Sequence, residues 1–178
     1  MKISADQFVN AYVTEMADTA HDVDRIVTTP SGLDAEGMLA ALTDPRMGRL
    51  GIPLMADLMA PEGSLYFDAI FGAFYGQTAI RNWLVPAMAE IEFVDFVPTS
   101  PGVLFDDGNG GASLDEWNMG ANVGDMAIPL SRGASVRRYR DGWITWACEV
   151  LRRLGANVRR HVERLGLRLA RDRRAAAR

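Results

Sequence analysis

Two carboxylates in this sequence stand among apolar neighbours, where an ionised group is costly. Asp68 follows Leu65-Tyr66-Phe67 and precedes Ala69-Ile70-Phe71, and Glu149 interrupts the otherwise apolar stretch Trp146-Ala147-Cys148 and Val150-Leu151. A carboxylate moved out of water into apolar surroundings loses hydration, so its pKa climbs toward neutrality and it becomes a competent proton acceptor at cellular pH. Asp68 is thus the candidate general base and Glu149 a candidate second carboxylate. Each also has a plainer reading: Asp68 as a turn residue bonding nearby amides, Glu149 on a solvated strand edge. Further along, alternation places Asp115 and Trp117 on one face of a strand and Glu116 and Asn118 on the other.

Other chemistries find less material. Cys148 is the single cysteine, which removes internal disulfides and multi-cysteine zinc sites and suggests a buried, inert thiol. His21 and His161 are the only imidazoles and no carboxylate cluster stands out, so neither a metal nor any other cofactor is expected. Phe71, Phe74, Tyr75, Trp83, Trp143 and Trp146 read as core or rim aromatics, and at the mouth of a hollow such side chains also shape a lipophilic ligand site. Residues 1–150 carry 9 basic and 21 acidic side chains, whereas residues 151–178 carry 10 basic and 2 acidic. An acidic body repels phosphate backbones, so no nucleic-acid partner is expected. No apolar run approaches the roughly 18 residues of a membrane span, and the first ten residues lack the pattern of a secretory signal. The expectation is a cytoplasmic protein with no integral membrane segment.

The elements that must hold these side chains follow from periodicity. At 178 residues the chain suits one domain with a substantial core. Three- and four-residue apolar steps predict a helix over Ala5–Val27 with Ser4 as N-cap. A short helix is expected over Leu33–Thr43, and one or two helical turns over Ile52–Met59. Leu65–Asp68 reads as a strand, Phe71–Gly76 as a loop, and Gln77–Ala89 as a helix that Pro86 should bend or shorten. Strands are then expected at Ile91–Pro98, Gly102–Phe105, Ala112–Asn122, Ala127–Leu130, Ser135–Tyr139 and Trp143–Val150. The Asp141-Gly142 pair between the last two is a strong hairpin signal. Helices first and antiparallel strands after them imply an α+β domain, with helices covering one face of a curved sheet.

Leu65-Tyr66-Phe67-Asp68, the passage to Tyr75-Gly76, Ala79-Ile80-Arg81-Asn82-Trp83-Leu84, and Ser135 through Ile144 together resemble the SnoaL-like members of the nuclear transport factor 2 superfamily. The resemblance spans about residues 58–150 and implies a cone-shaped fold, helices packed on a curved, mainly antiparallel mixed sheet, shared by polyketide cyclases, ketosteroid isomerases and limonene epoxide hydrolases. It places Asp68 where the isomerases keep a general-base Asp and the hydrolases an Asn, with Tyr66 as the hydrolases' Tyr. It places Glu149 at one Asp of the hydrolases' Asp-Arg-Asp set, Tyr12 at the isomerases' oxyanion-hole Tyr, and Asp115 and Trp117 inward. Ser135 stands where the isomerases have a protonated Asp, and no Arg obviously replaces that of the hydrolases. Residues 28–57 look like an insertion able to roof the hollow.

Leu151, Leu154, Val158, Val162, Leu165 and Leu169 recur with arginines between them, an Arg-rich amphipathic helical tail over 151–178. It is expected to fold back on the acidic body, with contact to an anionic surface as the alternative. The resemblance implies cofactor-independent acid–base chemistry on a small lipophilic substrate, of cyclase, isomerase, dehydratase or epoxide hydrolase type, by a homodimer. A non-catalytic ligand-binding or dimerising module is the alternative.

Overall fold

The structure is a computed structural model. It describes residues 3–16, 22, 24–68, 72–89, 91–99, 102–105, 110–123 and 126–151. The Arg-rich stretch beyond Leu151, and Phe71, lie outside the described residues.

The order is α1 (Ala5–Met16), α2 (Ala35–Leu42), α3 (Gly51–Leu58), β1 (Leu65–Asp68), β2 (Gly72–Tyr75), α4 (Gly76–Ala89), β3 (Ile91–Pro98), β4 (Val103–Phe105), β5 (Ala112–Val123), β6 (Met126–Arg140) and β7 (Trp143–Leu151). The strands form one seven-stranded sheet in the order β2-β1-β7-β6-β5-β3, with β4 also paired to β5. Among the described strands β1 and β7 run parallel and the other pairs are antiparallel. This is the α+β architecture expected from helices followed by strands.

Three local expectations are corrected. The first helix stops at Met16, and residues 24–28 are not helical. Polar contacts hold that passage: the Val27 N–H donates to Gln77 Oε1 (2.8 Å) and Arg25 reaches Asp57 and Glu15. The Gly- and aromatic-rich passage includes a strand, β2, paired with β1, and Gly72 enters it at φ 92°, a conformation glycine adopts without strain. Ala127–Leu130 and Ser135–Tyr139 belong to one 15-residue strand, β6, whose polar middle is paired to β5 throughout. Helix α4 ends at Ala89, where it was expected to, with Pro86 in its last turn. The Asp-Gly hairpin forms as its residue types dictate, with Asp141 at φ 51° and Gly142 at φ 79°.

The helices cover one sheet face. Val9, Tyr12 and Met16 of α1, Met38 and Ala41 of α2, Leu54, Met55 and Leu58 of α3, and Ile80, Trp83 and Leu84 of α4 share a core with Tyr66, Tyr139, Ile144 and Ala147 of the sheet. The stretch read as an insertion therefore supplies α2 and α3 to that core. Among the described residues no helix is long and apolar enough to cross a membrane.

Candidate functional site

Strand alternation and register assemble a polar group on the helix-covered face. Asp68 of β1 pairs with Glu149 of β7, Glu149 with Ser135 of β6, and Ser135 with Asp115 of β5. Two residues along the same face, Tyr66 pairs with Ala147, Ala147 with Arg137, and Arg137 with Ser113. Side chains two apart on a strand share a face, so three carboxylates, one guanidinium and three hydroxyls converge from four strands.

Arg137 joins the carboxylates. Its Nη1 donates to Asp115 Oδ1 and its Nη2 donates to Glu149 Oε1 at 3.2 Å. The Ser135 hydroxyl donates to Glu149 Oε2, and the Trp117 indole N–H donates to Ser135 Oγ at 2.9 Å. Asp115, Trp117, Ser135 and Arg137 are all buried, Tyr66 is 2% exposed, and the Glu149 side chain is 15% exposed. Arg137 Nε is buried without a hydrogen-bond partner.

Three carboxylates lie against one guanidinium in a poorly hydrated place, where burial raises the pKa of an acid. Burial, with help from Asp115 and Asp68, raises Glu149 to about 7 against the opposing pull of Arg137 and Ser135. Burial raises Asp115 as well, with Arg137 opposing. Tyr66, which donates to Asp68, is pushed well above the ordinary phenol value by burial and by the negative charge of Glu149 and Asp68. Burial works against the charge on Arg137, but Glu149 and Asp115 more than offset it and the guanidinium stays protonated. The arrangement holds a transferable proton near neutral pH. Among the described residues no three His, Cys, Asp or Glu side chains form a metal-holding group.

Of the residues singled out in the sequence, Asp68, Tyr66, Glu149, Asp115 and Trp117 meet here. Tyr12 does not join them. Its hydroxyl donates to Asp57 Oδ2 (2.8 Å) in a second buried polar group, where Arg25 Nε donates to the same oxygen (3.1 Å) and Arg81 Nη1 to Oδ1. Gln77 Nε2 donates to the carbonyls of Asp57 and Met59 there. Burial and Asp57 hold the Tyr12 phenol protonated, which suits a bond across the helical layer.

Tyr75 and Trp146 lie on the opposite, uncovered face, because Tyr75 pairs with Leu65 and Leu65 with Trp146, one residue out of phase with the site. Tyr75 is 70% exposed. Trp146 lies 6.0 Å beneath the Arg138 guanidinium. Trp83 is a core residue stacked on Phe74, 5.1 Å between ring centres. Cys148 is half-buried on the uncovered face rather than fully buried, its pKa raised by burial and Glu149. Sequence reasoning missed Arg137, having sought a basic partner on the strand of Asp115. The available signal was its position two residues from Ser135 in an alternating strand.

The sequence matches no family model and no curated protein. Solved structures do share its fold. An LEH-like epoxide hydrolase of Mycobacterium tuberculosis aligns with a TM-score of 0.51 at 15% identity over 75% of this chain and 93% of its own. A candidate SnoaL-like polyketide cyclase of Jannaschia sp. CCS1 aligns with a TM-score of 0.51 at 9% identity over 67% of this chain and 87% of its own. A hypothetical protein of Catenulispora acidiphila with a ketosteroid isomerase-like fold aligns with a TM-score of 0.44 at 22% identity, over 62% of this chain and 78% of its own. The chain has the nuclear transport factor 2-like fold.

Proposed function

We propose that the protein is a cofactor-independent hydrolase that opens a small lipophilic epoxide. One observation carries this reading: a single guanidinium, Arg137, clamped between two buried carboxylates whose pKa values are both raised. Epoxide opening needs a base that deprotonates water and an acid that protonates the departing oxygen in the same step. Glu149 suits the base, since its conjugate acid titrates at about 7. Asp115, on the other side of Arg137, is assigned the acid; burial raises its pKa and Arg137 opposes the rise.

The proton inventory closes. The Glu149 carboxylate takes a proton from water, the water oxygen bonds to one epoxide carbon as the C–O bond there breaks, and the Asp115 proton goes to the freed oxygen. The product is a vicinal diol, and passage of the proton from Glu149 back to Asp115 resets the site. Tyr66 and Asp68, beside Glu149, orient the water in this scheme. Asp68 thereby moves from base to positioning group, because Glu149 has the pKa that the base role requires and Asp68 already accepts from Tyr66. Tyr12 has no part in it, since Asp57 engages its hydroxyl. The structural likeness to an LEH-like epoxide hydrolase supports the reading without supplying the substrate.

The test is a panel of apolar epoxides incubated in 18O-labelled water. One labelled oxygen in the diol, lost in Glu149→Gln and in Asp115→Asn, is the expected result. Turnover that survives both substitutions refutes the scheme.

A second reading, dimerisation, is favoured by the uncovered sheet face. One rung there runs Phe67, Cys148, Val136, Leu114 and Val103 across five strands, and Phe67, Leu114 and Val103 are 42%, 38% and 52% exposed. A broad apolar sheet face of this kind is self-complementary across a two-fold axis, so the occupant proposed is a second copy of the chain. Sedimentation equilibrium decides it: a dimer that Leu114→Glu converts to monomer supports the reading, and a monomeric parent protein removes it.

A further inference from the structure

We infer that Gly133, Trp117 and Ser135 form a positioning device that fixes which oxygen of Glu149 is free to exchange a proton. The inference rests on the role proposed for Glu149, but its test needs no turnover.

Trp117 and Gly133 face each other across the β5–β6 ladder. A Cβ built on Gly133 would lie 2.3 Å from two carbons of the indole, so no larger residue fits without displacing the ring. The backbone at Gly133 is not in the left-handed region, so glycine is required there for space rather than for conformation. The indole therefore packs against strand β6 at Gly133. That placement aims its N–H at Ser135 Oγ, two residues on along the same strand.

The donor inventory then leaves little freedom. An indole N–H can only donate, so Ser135 Oγ accepts from Trp117 and directs its own proton to Glu149 Oε2. Were Glu149 protonated on Oε2, the buried serine proton would have to give up that acceptor, an expensive loss at a site 1% exposed. Oε1 also accepts, from Arg137 Nη2, but at 3.2 Å this is the longer of the two contacts, so the mobile proton belongs on that oxygen. The other charged and titratable groups bearing on Glu149 are Asp68 and Tyr66 from β1, Asp115 from β5 and the adjoining Cys148 of β7. None of these reaches it through the serine. Because Ser135 donates to the ionised form, the device lowers the pKa that burial raises, holding Glu149 within reach of neutrality.

The experiment is NMR titration of protein labelled at the indole nitrogens and the glutamate carboxyl carbons. The Trp117 and Glu149 signals are identified by their loss in Trp117→Phe and Glu149→Gln. The expected result is a Trp117 indole N–H resonance that moves with the Glu149 midpoint and becomes flat in Glu149→Gln. Ser135→Ala should uncouple the two and raise the Glu149 midpoint by about one to two pH units, the worth of one hydrogen bond to a charged group. Gly133→Ala should raise it in the same direction by pushing the indole away, and Ser135→Thr should restore the coupling. An indole resonance indifferent to the Glu149 midpoint in the parent protein overturns the inference. So does a midpoint left in place by Ser135→Ala. Loss of epoxide turnover with the coupling intact would refute only the hydrolase reading.

Discussion

Asp68 and Glu149 are paired residue for residue across the parallel ladder of β1 and β7, so two carboxylates occupy adjacent strands on the same covered face. Burial is the main reason that Glu149 is raised to about 7, and the neighbouring Asp68 adds to it.

Glu149→Gln should therefore reduce kcat/KM for the epoxide by at least about a hundredfold, the usual worth of a positioned general base. It should also alter stability in a definite direction. The folded-state pKa of about 7 lies above the ordinary 4.5, so the native state holds this proton more tightly than the unfolded chain. The contribution to stability is full below the unfolded value and is lost as pH rises through the folded one, by up to about 3 kcal/mol. Urea unfolding of the parent protein from pH 5 to pH 8 should show that decline, and Glu149→Gln should lack most of it.

Arg137→Met should remove the guanidinium and leave Asp115 and Glu149 buried and uncompensated. Breaking a buried pair in this way costs about 3–5 kcal/mol. The midpoint of the Glu149 carboxyl should rise further, because Arg137 is the largest influence opposing the upward shift. Carboxyl-carbon NMR and chemical denaturation measure the two effects separately. An unchanged Glu149 titration would contradict the assigned geometry.

Tyr12→Phe should leave turnover within about twofold of the parent while costing about 1 kcal/mol, the net worth of a buried hydrogen bond. Asp57→Ala should cost more, about 3–5 kcal/mol, since Arg81 would remain fully buried without its carboxylate. Parallel activity and urea measurements test the pair. A large loss of kcat in a stable Tyr12→Phe protein would return Tyr12 to the mechanism.

Much of the fold was legible because it depends on short-range chemistry. Asp34 caps α2 by accepting from the Gly37 N–H, Asp141-Gly142 closes the last hairpin, and alternation separates buried Asp115 and Trp117 from Glu116, which pairs with Arg132 at the surface. The site was half legible for a different reason. Periodicity gives the face of each side chain but not the register that brings strands together. Asp115 and Arg137 meet only because Asp115 is paired with Ser135 and Ser113 with Arg137, a relation that no spacing in the chain encodes. The same limit applies to Tyr12: helix periodicity marks it as buried, but its partner Asp57 lies 45 residues away.

Because the polar group draws Asp68, Glu149, Ser135 with Arg137, and Asp115 from four separate strands, it also acts as a lock on how those strands align. A slip of β6 by one residue would turn Ser135 and Arg137 to the uncovered face and replace them with Val136 or its neighbours. The remaining carboxylates would then be buried with no countercharge, at a cost comparable to much of a domain's net stability. The residues proposed to run the chemistry thus penalise misaligned sheets during folding, and neutralising them should broaden the population of non-native pairings as well as abolish the proposed activity.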